Sequence, residues 1–115
     1  MDIRIVRDTI SFQEVKDLAQ EFYKTMIKGT VDIERKIIAL GGEYHVDSNM
    51  ALVEAGSLQA NVWGFNIHPN EGADNWIEYV SLINIRPLAG NKSMEVKDET
   101  LRRKMAEIIN SKIVR

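Results

Sequence analysis

Between residues 61 and 86, apolar side chains recur at every second position in two runs, "NVWGFNIH" and "WIEYVSLINIR". Each run is stopped by a proline, Pro69 and Pro87. Successive strand side chains point to opposite faces, and proline cannot donate to a ladder, so the two runs read as strands with one packed face. "EYHV" (43–46) and "MALVE" (50–54) read as two shorter strands before them, set apart by Asp-, Ser-, Asn- and Gly-rich pieces. Four strands in succession with short connections predict an antiparallel meander.

The N-terminal third reads as helix. Residues 2–6, "DIRIV", suggest a short strand, and Ser11 stands three residues before Glu14, the spacing of a capping box. Phe12, Val15, Leu18, Ala19, Phe22 and Met26 follow at three- and four-residue steps, and the stripe continues through Thr30, Ile33, Ile37 and Leu40 to a Gly41-Gly42 stop. A single helix over 11–40 would be about 45 Å long at ~1.5 Å per residue, too long for so small a chain. Two helices are therefore expected, broken between residues 22 and 30, at Gly29 or near Tyr23-Lys24. A closing helix starts near Asp98, where Asp98 and Glu99 suit a positive helix end, and runs through Leu101, Met105, Ile108 and Ile109. The expectation is one α+β domain over 1–115: an antiparallel meander sheet with helices packed on one face.

Sorting the strands by face puts Trp63, Phe65 and Ile67 with Ile77, Tyr79, Ile83 and Ile85, the set that helices would cover. Gly64, Asn66, His68, Glu78, Asn84 and Arg86 fall opposite, beside Val80 and Leu82, and His45 and Asp47 are placed to join them. A merely solvated face favours Lys, Glu and Thr, whereas Asn, His and Arg make directional bonds. Each residue keeps two readings. Arg86 forks onto a phosphate or carboxylate, or pairs with Glu78 or Asp47. His45 and Asp47 offer two ligands to a divalent ion, with Glu78 or His68 needed as a third, or form a base-and-orienter pair, or share a surface hydrogen bond. Asn66 and Asn84 orient a ligand or hold turn backbone, and Asn91 sits in a loop, "GNKS", that presents N–H groups to an anion or simply connects. The run Arg102-Arg103-Lys104 reads as a solvated helix face.

Totals narrow the classes. Net charge is −2, so no field draws in nucleic acid or anionic lipid. Cysteine is absent, which removes disulfides and thiolate chemistry and fits a cytoplasmic location. "MDIRIVRD" lacks the apolar run of a signal peptide, and no membrane span is expected. GxxxxGK[ST], GxGxxG, GxSxG and HExxH are all missing, so no cofactor is expected and whether the chain is an enzyme is left undecided.

"VDIERKIIALGGEYHVD", "VWGFNIHP" and "WIEYVSLINIRPLAGNKS" together resemble a family of small prokaryotic proteins, one compact domain each, whose function is unknown. The resemblance covers nearly the whole chain, its most specific pieces being "WG-x-N" and "NIRP-x-x-GN". It implies that His45, Asp47, Trp63, Asn66, Asn84, Arg86, Asn91 and Ser93 occupy recurring positions, and it implies no activity. Two positions depart from the pattern: Val80 stands where it favours a carboxylate, and Lys92 where it favours Arg. The functional expectation is a small cytosolic protein binding an anionic, phosphate-type ligand on the polar sheet face. Arg86 would hold the charge, Asn66 and Asn84 would orient the ligand, and His45 with Asp47 would be the proton-transfer pair. The rival is a non-enzymatic interaction or homodimer module using the same face through Val80 and Leu82.

Overall fold

A computed structural model describes residues 3–115. Along the chain run β1 (Arg4–Val6), β2 (Ile10–Ser11), α1 (Phe12–Ala19), β3 (Ile27–Asp32), β4 (Ile37–Leu40) and α2 (His45–Glu54). They are followed by β5 (Val62–Ile67), β6 (Ile77–Glu78), α3 (Glu99–Lys112) and β7 (Ile113–Val114). Five strands form one sheet in the order β1-β4-β3-β5-β6, antiparallel at every step, and β2 pairs with β7 in a small parallel ribbon. The fold is α+β, as the sequence indicated.

The centre of the sheet is the hairpin β3–β4, where the sequence pattern predicted a helix. Ile27, Gly29 and Val31 face one way and Lys28, Thr30 and Asp32 the other, so the segment also satisfies a period of two. The turn settles the ambiguity. Asp32 Oδ1 accepts the N–H groups of Glu34 and Arg35, both at 3.0 Å, and Lys36 takes φ 56°. An Asx-type turn reverses the chain there, and β4 pairs back with Val31 opposite Ile38. Gly41 and Gly42, at φ 110° and 90°, lead from β4 toward α2 rather than ending a helix. The break expected between residues 22 and 30 arrives earlier, because α1 ends at Ala19.

Residues 43–46 and 50–54, read as two strands, are instead the start and end of α2. The run 76–86 is also corrected. Its strand stops at Glu78, Val80 makes a single bridge to Glu95, and residues 82–84 form a 3-10 turn. The N-terminal strand forms over Arg4–Val6, while Asp2 lies outside the described residues. The caps of α1 and α3 form as expected: Ser11 Oγ accepts from Glu14 N at 3.1 Å, and Asp98 Oδ1 accepts from Thr100 N and Leu101 N.

Both faces of the sheet are covered. Val31, Ile38, Leu40, Trp63, Phe65 and Ile67 pack with Val15 of α1 and with Met105, Ile108 and Ile109 of α3. On the other face Ile37, Ala39 and Val62 pack with Leu52 of α2, and Ile83 closes this smaller core. The Trp63–Phe65–Ile67 face was read correctly, whereas Ile83 belongs to the opposite core and Ile85 is exposed. Turning residues 43–54 into a helix is what gives the sheet its second layer. Among the described residues no helix is long and apolar enough to cross a membrane.

Candidate functional site

Four of the six residues singled out from sequence serve the backbone. β6 pairs with β5 only at Ile67 and Asn66, so on that edge no strand lies beside Gly64, and the Asn84 side chain takes the vacant place. Its Oδ1 accepts from Gly64 N at 2.8 Å, and its Nδ2 donates to Gly64 O at 3.0 Å and to Met94 O at 3.2 Å. The amide thus supplies the donor and acceptor that a neighbouring peptide group would have offered. Gly64 is required there, since a Cβ would lie 2.5 Å from Ser81 Cβ.

Asn91 binds the loop that follows: Nδ2 reaches the carbonyls of Asn84, Ser93 and Glu95 at 2.8–3.1 Å, and Oδ1 accepts from Lys97 N. Arg86 donates from Nε to Ile83 O at 3.1 Å, from Nη1 to Ala60 O at 3.2 Å and from Nη2 to Val62 O. Its guanidinium lies 4.3 Å from the centroid of the Trp63 ring. Three of its five donors therefore serve carbonyl groups. Asp47 Oδ2 accepts from Tyr44 N at 3.0 Å, closing the first turn of α2. Positions two apart on a helix diverge, so His45 and Asp47 share no face. Among the described residues no group of three or more His, Asp or Glu is placed to hold a metal ion.

His45 and Asn66 are the two that meet, and they do so at a cavity of about 400 Å³. It opens between β3, the first turn of α2 and residues 80–83, with Met26, Leu82 and Met94 among its apolar walls. His45 Nε2 lies 2.9 Å from Phe65 O. A carbonyl only accepts, so Nε2 carries the hydrogen and Nδ1 is left as an acceptor in the neutral ring. Burial pushes this histidine below its ordinary 6.5, against the opposing pull of the Phe65 carbonyl.

Asn66 Nδ2 donates to Glu78 Oε1 at 2.9 Å, and its buried Oδ1 has no partner. Glu78 also meets His68 Nε2 at 3.0 Å, and these two bonds, that of His68 first, hold its carboxyl below the usual range. Lys28 is the residue sequence reasoning missed. It lies across the β3–β5 ladder from Asn66, with Nζ 5.0 Å from the Tyr23 ring centroid and 5.7 Å from that of Tyr44. The signal was the alternation of "IKGTVD", hidden by a helical reading of the same stretch. Val80 also lines the cavity. With an apolar residue there, Lys28 is the one charged side chain on its walls among the described residues.

A second, open depression of about 850 Å³ runs between β6 and α3. Acids such as Glu78 and Glu99 face Arg102 and Arg103 across it, and Arg102 stacks 4.5 Å over the Tyr79 ring. Five acids against two arginines give it a net negative lining, which disfavours an anion.

Comparison with known proteins gives one match: the family described as "Protein of unknown function (DUF5674)", over residues 4–112. No curated protein and no solved structure matches the chain significantly.

Proposed function

The chain belongs to the DUF5674 family, and from that premise we propose that it binds a small anionic molecule with an apolar body in the cavity at the start of α2. The observation that carries this reading is the wall composition: a mainly apolar chamber with a single cation, Lys28, and two oriented polar side chains, His45 and Asn66. Ligand sites commonly have that make-up, with few polar groups fixing orientation and apolar contact supplying affinity. Lys28 replaces Arg86 as the charge-holding group, because Arg86 is engaged with Ile83, Ala60 and Val62. Asn66 is fixed at the cavity wall by its Nδ2 bond to Glu78 Oε1.

Thermal melts with an amphiphilic anion such as octanoate or phenyl phosphate, beside inorganic phosphate and a neutral alcohol, test this. An amphiphilic anion at about a hundred times its Kd should stabilise by roughly 2.7 kcal/mol. Lys28→Met should weaken it about tenfold while Arg86→Met leaves the affinity alone. No response to any carboxylate or phosphate monoester at millimolar concentration would sink the reading. The rival reading, an interaction module using this region, has the exposure of Leu82 and Tyr44 at the cavity rim in its favour.

A further inference from the structure

Helix α2 is built inside out. Its buried residues are His45, Ser48, Asn49 and Leu52, three of the four polar. Asn49 is held inside by a reciprocal amide pair with Gln59, 2.8 Å each way. Val46, Met50 and Val53 point outward instead, 47%, 53% and 40% exposed. They stand at i, i+4 and i+7, one line along the helix, where a surface helix normally carries charge. Tyr44 at the helix start and Leu82 across the cavity rim extend the patch, at 58% and 71% exposure. An apolar stripe on a helix that already has a buried side marks a docking surface.

Charge selects the occupant. From Glu43 to Glu54 the chain carries three acids and no Lys or Arg, and Asp47 and Glu54 lie along one edge of the stripe. Among the described residues Arg35 is held on Ala55 O and Ser57 Oγ, and Lys28 lines the cavity beside the Tyr23 and Tyr44 rings, so neither belongs to the stripe. An anionic lipid surface would be repelled. Antiparallel two-fold pairing of α2 with a second copy is disfavoured as well, because it puts both Asp47–Glu54 edges on the same side. We propose that α2 docks an amphipathic helical segment of another protein, its apolar residues at i, i+3 or i+4 and i+7 flanked by Lys or Arg.

The probe is a fluorescent helical peptide of leucine and lysine, compared with a leucine and glutamate peptide of the same apolar spacing, titrated with the full chain. The lysine peptide should bind at least about tenfold tighter, and Met50→Lys should remove at least that factor, as loss of a central anchor does. Glu54→Lys should narrow the difference between the two peptides. Met50 and Glu54 are exposed, and melts of both variants establish that they are folded. Equal binding of the two peptides, or a Met50→Lys variant that binds like wild type, overturns the proposal. So does a concentration-dependent dimer of the wild type that Met50→Lys abolishes, which would make the occupant a second copy.

Discussion

An asparagine side chain and a peptide group carry the same donor and acceptor, and Asn84 uses that equivalence to finish a sheet whose next strand has ended. Asn84→Ala would leave Gly64 N and Gly64 O without partners in a buried place, while Met94 O would keep the Ser81 N–H. At roughly 1–3 kcal/mol for each unsatisfied group, with some relaxation, the expected cost is about 3 kcal/mol in a urea titration. Asn84→Asp should rescue little, because it keeps the acceptor and loses both donations. Arg86→Met removes three bonds to carbonyls at a half-buried position and should cost roughly 1–3 kcal/mol. It should also leave the response of the melting temperature to phosphate unchanged. The sequence marked both residues as exceptional without separating the two roles. A backbone carbonyl and a bound anion both accept from the same donors, so residue type alone cannot tell them apart.

At the scale of elements, the errors and the successes have one cause. Apolar residues at 27, 31, 33, 37, 38 and 40 satisfy a helical and a strand period alike over so short a span, and the turn at Asp32 to Lys36 is what decides. The strand β5 and the cap of α3 were legible because Trp63, Phe65 and Ile67 alternate without exception and Asp98 precedes its helix directly. Helix α2 was illegible for the opposite reason. Its buried side is His45, Ser48, Asn49 and Leu52, so its apolar residues trace no packed helical face, and 43–46 and 50–54 read as strands. Of the residues lining the proposed cavity, His45 and Asn66 were singled out from sequence, and Lys28 was lost with the hairpin that carries it. Two substitutions probe the hairpin. Lys36→Gly, at φ 56°, should stabilise by up to about 1 kcal/mol through relief of a left-handed side chain. Gly29→Ala should destabilise by about 1–3 kcal/mol, because its Cβ would lie 2.7 Å from Phe65 Cζ and 2.8 Å from Leu40 Cδ2. Equilibrium unfolding of the two variants reads both, and a Gly29→Ala protein as stable as wild type would mean that the β3–β5 contact is looser than the geometry implies.

For the molecule as a whole, helices on both sides of the sheet mean that a titratable group between α2 and the sheet loses water on folding, and His45, on the buried side of α2, is one such group. Its ring is neutral in both states well above its ordinary 6.5, so it contributes no pH dependence there. Below 6.5 the unfolded chain takes up a proton that the buried ring, held lower by desolvation, takes up less readily. Unfolding is then favoured, and stability falls as pH drops from 6.5 toward the lower folded value. Glu78 acts with the same sign in a lower window. Its carboxyl is held below 4.5 by His68 and Asn66, so the stability it adds above 4.5 is lost only as pH falls through its folded value. Two steps are therefore expected, His45 first and the carboxylate second. The melting temperature of the wild type should be level between about pH 8 and 7 and begin to fall near 6.5. In His45→Gln, whose amide N–H still has the Phe65 carbonyl to donate to, the first step should vanish and the fall should begin only in the carboxylate range. A variant whose melting temperature tracks wild type through pH 6 would show that His45 stays hydrated, and that α2 opens from the sheet more readily than its packing implies.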